Sequence, residues 1–221
     1  MSTEAMKREL YQSIAKVAQA LASGNRLQLL EFMAQGERSV DDLATMAGVS
    51  VANASQHLQA LRRAGLVSAR KDRQRVYYRV AGDDVVRLYH GLRTVAESRL
   101  AEVRQLVKEF LGDRHALEPV PANELLARAK KGLVTVLDVR PPEEYAAGHV
   151  PGAINVPLEK LEDYLAKLPK KREIVAYCRG PYCLMSFEAV LTLRKRGWKA
   201  RRLQHGFPEW KAAGLPVESP G

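Results

Sequence analysis

The feature that most constrains this chain is a change in hydrophobic period around residues 112–119. Upstream, apolar residues recur at helical spacing through "LYQSIAKVAQALA" and "RLQLLEFMA". The stretch "SVDDLATMAGVSVANASQHLQALRRAGLV" then reads as two short helices around the turn "AGVS". "SARKDRQRVYYRVA" alternates about the polar turn "KDRQ", the pattern of a two-stranded hairpin. A long helix is expected from about Asp83 to Leu111, with Val85, Leu88, Leu92, Val95, Val103, Val107 and Leu111 on one side. That apolar stripe needs a partner. Downstream of the aperiodic "LGDRHALEPVP", the short β-like runs "LVTVLDV", "AINVP", "EIVAYC" and "ARRLQ" alternate with helical segments near "PPEEYAAG", "LEKLEDYLAKL", "LMSFEAVLTLRKRG" and "FPEWKAAG". Such alternation argues for a mainly parallel sheet covered by helices. With 221 residues there is chain enough for two cores of about 100 residues each. The expected division is a mainly α domain over 1–111, a linker over 112–119, an α/β domain over 120–217 and a tail over 218–221.

Composition narrows the class. The chain is 46% hydrophobic and 27% charged, as ordinary soluble globular proteins are. No apolar run reaches the roughly 18 residues that would cross a bilayer, and "MSTEAMKREL" has no apolar core of a leader, so no membrane partner and a cytoplasmic location are expected. A net charge of +10 points to an anionic partner. It divides evenly, +5 up to residue 117 and +5 beyond, so only local clusters carry information.

One such cluster lies in the first half. Ser39, with Asp42 three residues on, and Ser50 are suited to cap consecutive helices, with Gly48 at the turn between them. On the second helix Ala54, Leu58 and Leu61 form the inward face. Asn53, Ser55, Gln56, His57 and Gln59 present polar groups able to reach base edges in a major groove. Arg62, Arg63, Arg70, Lys71, Arg73, Arg75 and Arg79 come next, with only Asp72 opposing them locally, an arrangement fit for phosphate contacts. Taken alone, a helix-turn-helix pattern is equally a small solvated helical domain; the basic hairpin directly after it favours DNA. From "ALASGNRLQLLEFMA" through "RVYYRV", residues 5–111 resemble the ArsR type of winged-helix regulators. The resemblance implies a homodimer built from the first and last helices, a recognition helix over 51–64, a wing over 68–79 and double-stranded operator DNA as partner. Many members of that family sense metals through cysteines on the helix that here reads "SVDDLATMA", where there is none. His90 and Asp84, six residues apart, fall on different helix faces. No metal site and no cofactor are expected.

The chain has two cysteines, Cys178 and Cys183, both in "AYCRGPYCLMS". Two cysteines are no disulfide framework, and in a reducing compartment such a pair is more often reactive than structural. Placed between a strand end and a helix start, Cys178 is expected to face backbone N–H groups and the positive end of a helix dipole, which depress a thiol pKa. Arg179 adds a positive charge suited to an anionic substrate. A phosphatase loop needs an arginine where this chain has Leu184; a thioredoxin-like dithiol has two intervening residues, and zinc sites use more ligands. "LDVRPPEEYAAGHVPGAINVPL", "YCRGPYCLMS" and "GFPEWKAAGLPV" together resemble the rhodanese, or sulfurtransferase, family over residues 120–217. The resemblance implies that Cys178 accepts a sulfane sulfur as a persulfide, held by the loop Arg179, Gly180, Pro181, Tyr182, Cys183 and Leu184. A small sulfur-donor anion would supply the sulfur and a thiol would accept it. Asp138, Arg140 and His149 match signature positions and are read as structural support, and Cys183 as a candidate resolving thiol. The expected whole is two domains: a mainly α winged helix-turn-helix, and an α/β rhodanese-like domain with a mainly parallel sheet. Its expected role is a DNA-binding regulator with sulfur chemistry as input. Two alternatives stay open: a sulfurtransferase whose DNA-binding half only regulates its own operon, and a regulator with an idle rhodanese module.

Overall fold

A computed structural model describes residues 2–112 and 117–219 and divides the chain into two compact units, Met1–Tyr89 and His90–Gly221. Residues 113–116 of the expected linker, and Pro220 and Gly221 of the expected tail, lie outside the described residues. The division falls inside a helix rather than at the expected linker.

The first unit holds helices α1 (Thr3–Leu21), α2 (Gly24–Ala34), α3 (Val40–Ala47) and α4 (Val51–Arg63). Strands β1 (Arg38–Ser39), β2 (Val67–Asp72) and β3 (Arg75–Val80) make an antiparallel sheet in the order β1-β3-β2. The hairpin falls where alternation placed it, closing on the pair Asp72 and Arg75 with Arg73 at φ 54°. The third strand, β1, is too short to announce itself in sequence. Caps set the two helices of the motif. Ser39 Oγ accepts from Asp42 N at 3.1 Å and Ser50 Oγ from Asn53 N at 3.2 Å, while Gly48 takes the left-handed φ of 64° that ends α3. Leu29, Leu30, Leu43, Leu58 and Leu61 are buried at the centre of this unit with Tyr78 from the hairpin.

The long helix expected over 83–111 is two helices, α5 (Asp83–Arg99) and α6 (Ala101–Leu111), separated by Leu100 in an extended conformation. Arg104 reaches back to seal the break, its Nη1 donating to the freed carbonyl of Ser98 at 2.9 Å. The single apolar stripe is therefore divided. Val85 packs in the first core, Val107 and Leu111 join the core of the second unit, and Leu88, Leu92 and Val95 stay exposed.

In the second unit β4 (Pro119–Val120), β5 (Val134–Asp138), β6 (Ile154–Asn155), β7 (Glu173–Tyr177) and β8 (Ala200–Leu203) pair in the order β4-β8-β7-β5-β6, every pairing parallel. Around the sheet lie α7 (Ala122–Lys130), α8 (Pro142–Ala146), α9 (Leu161–Tyr164), α10 (Leu184–Lys195) and α11 (Phe207–Ala212). The segment "LEKLEDYLAKL" carries only the one-turn α9 between two 3-10 turns, and α7 has no counterpart among the expected helices. Sheet residues are buried on both faces, one core running through Leu137, Ile174, Phe187 and Leu193 and the other through Val136, Val175, Leu203 and Trp210. Strands sealed on both sides read as continuous apolar runs, which is why β5 and β7 are legible.

Leu58 anchors the helix-turn-helix motif with no exposed surface. Leu58→Ala should cost the first unit about 2–5 kcal/mol, measured as the shift of its denaturant transition with the second unit's transition unchanged.

Candidate functional site

Two sites emerge, one in each unit. On α4, Asn53, Gln56 and Gln59 are exposed and Ser55 is half-buried. His57 is also half-buried, its Nε2 3.3 Å from Asn25 Nδ2, so its ring is engaged within the protein rather than held out for a base edge. Arg62 at the end of α4, and Lys71, Arg73 and Arg75 in the hairpin, are exposed. Arg70 departs from that pattern. It binds Glu37 through Nε and Nη2, with contacts of 2.5–2.9 Å, reaches Asp72 at 3.2 Å and lies 4.7 Å from the Tyr77 ring centroid. Glu37 opposes the cluster from 33 residues upstream, beyond what local charge counting sees.

The second site begins where β7 delivers Cys178 and ends where Cys183 caps α10. The loop between them is closed by Cys183 N donating to the Gly180 carbonyl at 3.1 Å, and its start is fixed by Phe207 N donating to the Cys178 carbonyl at 3.1 Å. Gly206 lets these chains meet: a Cβ there would lie 2.3 Å from the Arg179 carbonyl atoms and 2.4 Å from Gly180 N.

The expectation of a depressed Cys178 pKa is corrected by the geometry. Cys178 is only 2% exposed, and its Sγ lies 3.1 Å from Ser186 Oγ and 3.4 Å from the Cys183 carbonyl. Burial first, and then the neighbouring Cys183, push this thiol well above the usual range. Cys183 is brought down to about 7. The hydrogen bond with Cys178 contributes most to that fall and overcomes partial burial, with help from the backbone of Arg179 and Met185 and from the Arg179 charge. The two thiols face one another, and the helix start favours Cys183, which stands at it, rather than Cys178 at the strand end.

Arg179 has a different posture from that of a substrate clamp. Its guanidinium is forked onto Glu144, with Nε 3.0 Å and Nη2 2.7 Å from Oε1. The Glu144 side chain is 1% exposed, so the carboxylate depends on this partner. Of the other loop residues, Tyr182 donates its hydroxyl to Glu97 on α5, and Arg93 lies 5.6 Å from the Tyr182 ring centroid. Arg93 also binds Glu209 at 3.1 Å, and Glu209 Oε2 accepts from Gly206 N at 3.0 Å. Gly180, Pro181 and Leu184 shape the loop and the first turn of α10. Asp138 and Arg140 form a fully buried ion pair at 2.6 Å, and Arg140 Nη2 also donates to the Gly148 carbonyl at 2.8 Å. His149 stacks on Tyr145 with ring centroids 3.7 Å apart, and its backbone pairs with Glu218. Sequence reasoning missed Ser186, Glu144, Glu97 and Glu209. Ser186 alone had a local signal, as the first hydroxyl after the thiol loop. Among the described residues no cluster of three or more His, Cys, Asp or Glu side chains could hold a metal, and no helix is long and apolar enough to cross a membrane.

The pH dependence of thiol alkylation reads this arrangement directly. The reaction with iodoacetamide should rise with pH through a midpoint near 7 as the Cys183 thiolate forms, and Cys183→Ser should abolish that midpoint. Peptide mapping should place the modification on Cys183.

Comparison with known proteins agrees with both units. Residues 23–69 match the model of the bacterial regulatory protein, arsR family, and residues 121–213 that of the rhodanese-like domain. The HTH-type transcriptional regulator Rv0324 of Mycobacterium tuberculosis is 48% identical over 96% of this chain and 93% of its own length. A sulfurtransferase of Allochromatium vinosum is 32% identical over 39% of this chain and 80% of its own. Among solved structures, a homodimeric winged helix-turn-helix DNA-binding fragment from Mycobacterium bovis is 45% identical, covering 46% of this chain and 93% of that one with a TM-score of 0.42. The chain thus belongs to the ArsR-type helix-turn-helix transcriptional regulators, as a DNA-binding regulator with a C-terminal rhodanese-like domain.

Proposed function

We propose that this regulator binds operator DNA as a homodimer in the cytoplasm and that its rhodanese-like domain is a sulfurtransferase whose sulfur state is the signal. Cys178 takes a sulfane sulfur from a small anionic donor and passes it to a thiol. The observation that carries the reading is the paired thiols of Cys178 and Cys183 on a strand-to-helix loop, in a chain whose other unit presents a polar helix and a cationic hairpin. No cysteine lies in the first unit, so a sulfur signal enters at this loop. Dimerisation is supported by exposed apolar groups on two helices: Met6, Leu10, Tyr11 and Ile14 on α1, and Leu88, Leu92 and Val95 on α5. Arg179 acts on the donor only in part, because Glu144 offsets its charge. The burial of Cys178 favours a second reading, a catalytically idle module, and turnover separates the two.

Three measurements test the proposal. Affinity for a pseudo-palindromic operator should fall with added salt, and Arg73→Ala or Arg75→Ala should each reduce the slope of log affinity against log salt by about 1. Binding insensitive to salt would sink the DNA assignment. Cys178→Ser should abolish sulfur transfer from thiosulfate or a persulfide, since a hydroxyl cannot carry the sulfur; an unchanged transfer rate would overturn the catalytic role. Operator affinity should respond to inorganic polysulfide in the wild type and not in Cys178→Ser. Equal affinity with and without polysulfide would leave an enzyme joined to a regulator that does not sense sulfur.

A further inference from the structure

We infer that Cys183 resolves the Cys178 persulfide, converting each captured sulfur into an intramolecular disulfide and a released hydrosulfide ion. Where no acceptor thiol takes the sulfur first, the domain then works as a one-turn thiol switch that must be reset. The inference rests on the reading of Cys178 as sulfur acceptor and supplies the fate of the sulfur once captured.

The surroundings of Cys178 direct the chemistry. Its Sγ is bounded by Ser186 Oγ and by the carbonyls of Gly180 and Cys183, and with 2% exposure little of the residue meets solvent. The Cys183 thiol also faces it, with the charges of Arg202 and Arg179 within electrostatic reach. A sulfur added to Cys178 therefore arrives beside a second nucleophile rather than beside an open channel. The chain between the two cysteines is already folded back by the hydrogen bond from Cys183 N to the Gly180 carbonyl, so closing the ring costs little further loop entropy. Cys183 is also the thiol whose ionisation its surroundings favour.

The steps balance. The Cys183 thiolate takes the Cys178 proton as Cys178 sulfur attacks the terminal sulfur of a persulfide donor, RSSH; the donor's S–S bond breaks, the leaving RS⁻ carries that proton away from Cys183 as RSH, and Cys178 carries –S–SH. The Cys183 thiolate then attacks the inner sulfur of that group, forming the Cys178–Cys183 bond and expelling HS⁻. Both cysteines are oxidised by the sulfane sulfur, which leaves reduced as sulfide. Reset requires an external dithiol or low-molecular-weight thiol to return two electrons.

The experiment treats the reduced full-length chain anaerobically with one equivalent of freshly prepared cysteine persulfide, then reads intact mass and free sulfide. The wild type should become about 2 Da lighter, as a disulfide requires, and release about one equivalent of sulfide per chain above the Cys178→Ser background. Cys183→Ser and Cys183→Ala should instead become about 32 Da heavier at Cys178 and release none. The serine variant suits the fold because position 183 is the N-cap of α10, where serine is favoured. A wild type that stays about 32 Da heavier without sulfide release overturns resolution by Cys183 while leaving Cys178 as acceptor. Failure of the Cys183 variants to gain any mass overturns both this inference and the acceptor reading beneath it.

Discussion

The second unit is organised around a cation that water does not reach. Arg140 has no exposed surface, and its charge is tolerable only because Asp138 grips it through both carboxylate oxygens and the Gly148 carbonyl takes a further hydrogen bond. Burial opposes the charged form most, but the Asp138 hydrogen bonds together with the charges of Asp138, Tyr177 and Glu144 outweigh it, so the guanidinium stays protonated. Its flat face lies 4.3 Å from the Phe207 ring centroid, which ties the first residue of α11 to the end of β5. Asn155 bridges the carbonyls of Asp138 and Arg140 and brings the edge strand β6 into the same knot. Three chain segments far apart in sequence are therefore registered by one ion pair. From there the order passes outward through α8, where Glu144 takes hold of Arg179 beside the first thiol.

Much of this was legible in the sequence, for identifiable reasons. The helix caps at Ser39 and Ser50 use short-range rules, and both make the expected hydrogen bonds. Strands β5 and β7 are continuous apolar runs. The hairpin alternates about a polar turn, and it closes as expected. What escaped depends on contacts over long sequence distances. Periodicity alone carries the stripe through Leu100, since nothing in an apolar repeat says that Leu88 stays in solvent while Leu111 is buried. Of the two-residue strands, β6 falls within the expected run "AINVP", while β1 and β4 sit in no such run.

The thiols illustrate the same limit more sharply. Sequence placed both cysteines on a strand-to-helix loop, and the chain does so. It assigned the lowered pKa to the one at the strand end. Which thiol meets the helix start, and which is buried against Ser186, depends on how the loop turns, and that is fixed by Gly206 and Phe207 pressing on it from α11. Likewise Arg179 reads as a substrate clamp until Glu144, 35 residues earlier, is seen to hold it.

The hydroxyl of Tyr182 has one more consequence. It is bonded to Glu97, 85 residues away in the chain, and the same stretch of α5 contributes Arg93 to a nearly dry ion pair with Glu209, whose other oxygen holds Gly206 N. Loop and helix α5 are thus joined through Tyr182 and Glu97, and helix α5 and helix α11 through Arg93 and Glu209, so α5 cannot move from α11 without leaving a poorly solvated charge to its own desolvation cost. Coupling of this kind acts equally in both directions. Loosening the loop would free Glu97 on α5, and holding Glu97 in place would restrain Tyr182. The loop that carries the two sulfur atoms is thus tethered, through one phenol, to a helix 85 residues upstream.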